Sequence, residues 1–292
     1  MKSDEVRPYF EAAKQGDKAA LAKLLSLSEK LGNAIFKDLP ELADTEKHVF
    51  RIGITGPPGA GKSTLISALI KELRSRDKKI AILAIDPSSP FTKGAILGDR
   101  IRYSEHFLDD GVFIRSLGTR GSLGGLSASA YLMLRILDLM EFDLVLIETV
   151  GVGQTELEIV NVADLISVVL VPESGDSIQA MKAGLTEIAD LFVVNKSDRP
   201  GADALVREIE ASEKLGENPA PVMKTTATQS EGVEALASEM LKLLGEDLSS
   251  KRNQKNRLQQ EAMSLLRADY EAEALKKLSK IEDADSFKKL FI

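Results

Sequence analysis

The sequence predicts an α/β fold, a mostly parallel central sheet flanked by helices, with helical extensions at both ends. Three observations predict it. Between Phe50 and about Thr226, short β-rich runs alternate with longer helical stretches. Most of those runs are continuously apolar rather than alternating, as strands of a parallel sheet covered on both faces are. Before and after that block, apolar residues recur at helical spacing among charged ones.

The elements follow in order. Over residues 1–48, Leu21, Leu24, Leu25, Leu27 and Leu31 recur at helical spacing among Lys, Glu and Gln, giving an N-terminal helical extension that Pro40 is expected to end. Residues 49–245 form the central domain, with strands expected at "FRIGIT", "KIAILAI", "VFIRSL", "DLVLIET", "LISVVLV", "LFVVN" and "PVMKTT". Over residues 246–292 no glycine occurs and the pattern is helical throughout. There Leu258, Ala262, Leu265, Leu266 and Tyr270 form a stripe that suits either a helix packed on its own domain or a dimerisation arm.

Composition sets the outer bounds. With 292 residues, 43% hydrophobic and 28% charged, the chain has ordinary globular composition. Its apolar runs fall far short of the roughly 20 residues of a membrane helix. The start, "MKSDEVRPYFEAAKQGD", lacks the basic then apolar pattern of a secretory signal, so a soluble cytoplasmic protein is expected. The chain has no cysteine, which removes disulfides and thiolate metal sites, and a net charge of -7 gives no general attraction to nucleic acid.

The first expected strand runs into "GPPGAGKST", which is G-x-x-x-x-G-K-[ST]. Here Gly56, Gly59, Ala60 and Gly61 turn backbone amides toward phosphate oxygens, Lys62 reaches the β- and γ-phosphates, and Ser63 and Thr64 open the following helix. The Ser63 hydroxyl suits Mg²⁺. A strand precedes the loop and an amphipathic helix follows it, which is the setting the motif requires, so the fold class narrows to a P-loop nucleoside triphosphatase.

In "DLVLIETVGVGQTE", four apolar residues run straight into Glu148. A carboxylate at the end of a strand beside a P-loop commonly holds Mg²⁺, directly or through water, and Gly151 can offer its amide to the γ-phosphate. Glutamate stands where most small GTPases have aspartate, so a second carboxylate is expected to help. Asp86 and Asp99 in "AIDPSSPFTKGAILGDR" are the candidates, each also suited to a plainer role, Asp86 in a turn before Pro87 and Asp99 as a helix cap. "NKSD" supplies Asn195, Lys196 and Asp198. A carboxylate at Asp198 can accept from N1–H and the exocyclic amine of guanine together, and Lys196 can lie along the ring, so GTP is preferred over ATP. Thr226 or Ala227 can bring a backbone amide to the guanine O6. Where Ras-like enzymes place a water-orienting glutamine after the switch glycine, this chain has Val152, with Gln154 two residues on. Slow unaided hydrolysis is expected, with Asp86, Asp99, Glu148 and Lys62 as the chain's own catalytic groups.

With these motifs quoted, the chain resembles the MeaB/ArgK family of P-loop GTPases, of the SIMIBI class, which includes the methylmalonic aciduria type A proteins. The resemblance rests on "GPPGAGKST", "DPSSP", "GAILGDR", "RGSLGGLS", "ETVGVGQTE", "GDSIQAMKAG" and "NKSD", in family order from about Phe50 to Val233. It implies a GTPase chaperone of an adenosylcobalamin-dependent acyl-CoA mutase, chiefly methylmalonyl-CoA mutase, and a homodimer. It also implies that Lys62, Ser63, Asp86, Asp99 and Glu148 hold nucleotide and Mg²⁺, and that the stretch from Gly175 to Lys182, with Asp176 and Gln179, relays nucleotide state to the mutase. The C-terminal segment is shorter than in well-known members and lacks tryptophan, which puts the family's dimer geometry in question. No D-x-H-x-x-G cobalamin motif occurs, so cobalamin is expected to belong to the partner. Three other readings stand beside this one, the first a pure binding module in which nucleotide only switches conformation. A kinase or ATPase tied to lysine, arginine and ornithine transport is opposed by "NKSD". A metal-inserting GTPase would need ligands, yet His48 and His106 are far apart in sequence.

Overall fold

The computed structural model describes residues 6–44, 47–86, 103–118, 127–149, 158–172, 185–214, 219–245 and 254–279. Three helices come first: α1 (Arg7–Lys14), α2 (Lys18–Leu31) and α3 (Ile35–Asp38). Asp17 caps α2, its carboxylate accepting from the amides of Ala19 and Ala20 at 2.9 and 3.0 Å. Pro40 does not close the helical region as expected. Helix α3 has already ended at Asp38, and Pro40 opens a further 3₁₀ turn, Pro40–Ala43, where its missing N–H costs nothing.

Seven strands build one sheet: β1 (Phe50–Thr55), β2 (Ile80–Asp86), β3 (Val112–Gly118), β4 (Leu144–Thr149), β5 (Leu165–Leu170), β6 (Leu191–Val194) and β7 (Val222–Lys224). Their order is β3-β2-β4-β1-β5-β6-β7, and the neighbouring pairs are parallel. Helices α4 (Lys62–Ser75), α5 (Ala128–Asp138), α6 (Leu185–Ile188), α7 (Ala202–Glu213) and α8 (Val233–Gly245) lie between and after the strands, and α9 (Gln254–Leu278) follows. Each expected run holds a strand; the last narrows most, from "PVMKTT" to Val222–Lys224.

The unbroken apolar runs have a direct cause, because the two faces of each strand enter different cores. In β2, Ile80 and Ile82 pack with α4 and α8, while Ala81, Leu83 and Ile85 pack with α5 and the N-terminal helices. In β4, Leu144 and Leu146 join the first core and Val145 and Ile147 the second. The strand period of two then carries Glu148 to the face that looks onto α4.

The described helices before and after the sheet, within 6–44 and 254–279, are packed into this body. Phe10, Leu24, Leu25 and Ile35 are buried in the same core as α5, so the N-terminal helices complete one face of the sheet. Helix α9 is held by Leu265, which is buried in that core, and by polar anchors. Arg257 donates to Asp164 Oδ1 and to the Val162 carbonyl, both at 2.8 Å, Arg135 pairs with Glu261, and Asn33 donates to the Leu265 carbonyl at 2.9 Å. The seam therefore runs Arg257, Glu261, Leu265 and takes only Leu265 from the predicted stripe, whose Leu258, Ala262, Leu266 and Tyr270 are exposed. Among the described residues no helix is long and apolar enough to cross a membrane.

Candidate active site

The order of the strands fixes where a ligand can sit. From β1 the chain moves to β2 and β3 on one side, returns to place β4 beside β1, and then adds β5 on the other side. The carboxyl end of β1 is thus a topological switch point, where open α/β sheets bind ligands. Residues 56–61 leave β1 there and enter α4.

Two glycines of this loop are required by geometry. Gly56 has φ 140°, and a Cβ on it would stand 2.1 Å from the Val169 carbonyl oxygen. Gly61 has φ 86°, and a Cβ there would stand 2.5 Å from Asn195 Nδ2. The loop carbonyls are tied to donors around them: Lys62 Nζ donates to Gly56 O at 2.6 Å and to Pro57 O at 3.1 Å, Lys196 Nζ to Gly59 O at 2.8 Å, and Asn195 Nδ2 to Ala60 O at 2.9 Å. The first hydrogen bond along α4 runs from Leu65 N to Gly61 O, which puts the amides of Lys62, Ser63 and Thr64 at the open first turn. No side chain caps that turn. An anion fits there, drawn by the first-turn N–H groups and the helix dipole.

Glu148 pairs in register with Ile54 of β1 and Ala84 of β2 and is 1% exposed. Its Oε1 accepts from the Ser63 hydroxyl at 2.6 Å and its Oε2 from the Tyr103 hydroxyl at 2.7 Å. Among the described residues no cationic side chain pairs with it, although a buried carboxylate normally needs one. A buried carboxylate and a half-buried serine hydroxyl, with no cationic side chain on the carboxylate among the described residues, are the oxygen donors a hard divalent ion takes, so the residues present fit Mg²⁺. Behind them the Thr149 hydroxyl donates to Thr55 Oγ1 at 2.9 Å, binding β4 to β1.

The "NKSD" residues follow β6. Asn195 is 2% exposed and works as a brace: its Nδ2 holds Ala60, while its Oδ1 accepts from the Thr225 hydroxyl at 3.1 Å and from the Ala227 amide at 3.2 Å. Lys196 takes a left-handed backbone, φ 55°, which is uncommon for a non-glycine residue and clusters at functional sites. Asp198 is exposed. Both expected O6 donors are engaged here, the Thr226 amide with the Glu231 carbonyl and the Ala227 amide with Asn195 Oδ1.

Asp86 ends β2, with its side chain outside the described residues, and Asp99, Gly151, Val152, Gln154, Asp176 and Gln179 lie outside them altogether. The structure therefore brings together Lys62, Ser63, Glu148, Asn195 and Lys196. It adds Tyr103 and Thr225, which sequence reasoning passed over because neither belongs to a motif. The histidines stand apart, His48 Nε2 lying 2.8 Å from Asp164 Oδ2 and His106 Nε2 2.8 Å from the Ser67 hydroxyl, so they form no joint site.

A parallel sheet whose β1 ends in a phosphate loop, beside a strand ending in a buried carboxylate that takes the loop's serine, belongs to a P-loop nucleoside triphosphatase. The kind is set by relatives. Residues 21–282 match the family described as "Methylmalonyl Co-A mutase-associated GTPase MeaB", and the chain belongs to that family and is a GTPase. A Pyrococcus horikoshii protein with the provisional name of a GTPase is 44% identical over 288 residues, 94% of this chain and 90% of its own length. The Escherichia coli GTPase ArgK is 33% identical over 286 residues, covering 94% and 86%. The crystal structure of an LAO/AO transport system kinase is similar with a TM-score of 0.69 and 25% identity, over 99% of this chain and 91% of that one.

Proposed function

We propose that this protein is a cytoplasmic, homodimeric GTPase chaperone that gates cofactor loading and protection of an adenosylcobalamin-dependent acyl-CoA mutase of the methylmalonyl-CoA type. The observation that carries the nucleotide chemistry is the 2.6 Å contact between Ser63 and the buried Glu148 carboxylate. The family's description as mutase-associated supports the client.

In this reading the first-turn amides of α4 and the Lys62 ammonium take the β- and γ-phosphates. Ser63 and Glu148 hold Mg²⁺, with Asp86 and Asp99 completing the oxygen set. When bound, the cation neutralises charge on the β- and γ-phosphate oxygens. Asp198 accepts from the guanine N1–H and amine, Lys196 lies along the ring, and the Ala227 amide turns from its 3.2 Å bond with Asn195 toward O6. Asn195 holds loop and base site in one frame through Ala60 and Thr225. Gly151 offers its amide to the γ-phosphate, and the stretch from Gly175 to Lys182 relays nucleotide state to the mutase. Val152 stands where a water-orienting glutamine would. Unaided turnover is therefore slow, and the client supplies the missing order.

The test is GTP turnover of the purified protein with and without the same organism's adenosylcobalamin-dependent mutase, with excess ATP as competitor. Strong stimulation by the mutase, and resistance to ATP, are expected. Tight Mg·GTP binding with turnover indifferent to the mutase would remove the client; loss of labelled GTP to ATP would restore the kinase reading.

A further inference from the structure

Ser63 and Ser67 lie one turn apart on α4 and so share a face. Ser63 meets Glu148. Ser67 meets the turn Ser104–His106, which lies between β2 and β3. The Ser67 hydroxyl donates to the Glu105 carboxylate and lies 2.8 Å from His106 Nε2. Since its one proton is spent on Glu105, the imidazole Nε2 must be the donor in the second bond. Lys71, one turn further along α4, pairs with Glu105 at 2.6 Å. The turn is thus fastened to the same helix that carries the phosphate loop, and His106, 5% exposed, is packed beneath it. Tyr103 immediately precedes this turn. It is fully buried, and its hydroxyl donates to Glu148 Oε2 at 2.7 Å.

The two oxygens of Glu148 are therefore divided, Oε1 to Ser63 and Oε2 to Tyr103. A glutamate has three rotatable bonds, and a second anchored oxygen stops the carboxylate from turning away from Ser63. Occupying Oε2 also leaves one oxygen for a cation, which suits the strict octahedral shell of Mg²⁺ better than the bidentate grip open to larger Ca²⁺. We propose that Tyr103 is a positioning residue, its phenol holding the Glu148 carboxylate so that a single oxygen faces Ser63 and the divalent cation. The proposal rests on the reading of Glu148 as the cation's carboxylate.

The experiment uses the full chain and a fluorescent, non-hydrolysable GTP analogue, titrated with Mg²⁺ and separately with Ca²⁺. Outer partners of metal ligands typically set affinity by 10- to 100-fold. In Tyr103→Phe, the half-saturating Mg²⁺ should rise roughly tenfold, and the preference for Mg²⁺ over Ca²⁺ should narrow. Binding of the analogue in EDTA reports the intact loop, and in the Glu148→Gln background Tyr103→Phe should add nothing further. An unchanged Mg²⁺ requirement, or an equal shift in the Glu148→Gln background, would overturn the role of Tyr103. If Glu148→Gln itself leaves the Mg²⁺ requirement unchanged, the reading of Glu148 fails and the proposal fails with it. Fluorotyrosine NMR on the unaltered sequence gives a readout that does not depend on the variant folding. The chain has four tyrosines, and the resonance of Tyr103 should move when Mg²⁺ is added to the nucleotide-loaded protein; four unmoved resonances would count against the contact.

Discussion

Gly61 meets two demands at one position. Its backbone is left-handed, and the space where a Cβ would stand is filled by the Asn195 amide that braces the loop. Gly61→Ala should cost about 1–3 kcal/mol of stability, seen in thermal melts, because strain and displacement of Asn195 add. Nucleotide affinity should fall with it, and an affinity equal to that of the native protein would show that the brace is dispensable. Asp198 tests the base instead. A carboxylate accepts from both N1–H and the guanine amine, whereas an amide offers one acceptor and one donor, matching N1–H and the 2-oxo group of xanthine. Asp198→Asn should lose GTP affinity by about 100-fold, the worth of two charge-assisted bonds at the low end of their range. Xanthosine triphosphate should gain, measured by competition, and undiminished GTP affinity would move base recognition elsewhere. At this scale the phosphate loop was legible because its chemistry requires adjacent residues. Tyr103 and Thr225 were not, since each acts on a partner far along the chain, Tyr103 across 45 positions and Thr225 across 30.

Among the elements, the strands were legible for a physical reason: two-sided burial forces an unbroken apolar run, and each such run in the sequence holds a strand. The seam of α9 was not, because its apolar residues are mostly those left exposed and the buried side is held by charge. Asp164, 1% exposed, anchors that seam, and it is faced by His48, Arg257 and the Arg51 amide. Burial alone would raise its carboxyl, but the hydrogen bond and charge of His48 and the guanidinium of Arg257 outweigh it and hold the group at about 2. A folded pKa below the unfolded 3.8 means stability that is fully present above pH ~4 and is lost as pH falls through ~2. The contribution is about 2 kcal/mol. Arg257→Ala should remove part of it and loosen α9, so its acid unfolding should begin at higher pH than that of the native protein. Coincident acid transitions would assign the anchor to His48 alone.

The whole molecule presents one helix fastened along one side and apolar along another. On α9, Met263, Leu266 and Tyr270 are 49%, 66% and 77% exposed. Leu266 and Tyr270 are four residues apart and so adjacent on the helix surface, with Met263 one turn before them. Three large apolar side chains on a helix pinned by Arg257, Glu261 and Leu265 are presented in a fixed direction, which a second chain can meet without first ordering the helix. This is the surface on which the proposed homodimer should form, with a self-complementary contact about a two-fold axis. Leu266→Glu with Tyr270→Glu places like charges on both copies at once. The native protein should run as a dimer by light scattering at micromolar concentration and the double variant as a monomer, with both keeping the same thermal melt for the nucleotide domain. The phosphate loop, Glu148 and "NKSD" all lie in one chain, so the monomer should still bind GTP, while its response to the mutase reports whether the client requires two copies. A native protein that is monomeric throughout would remove the dimer and leave this face to the client.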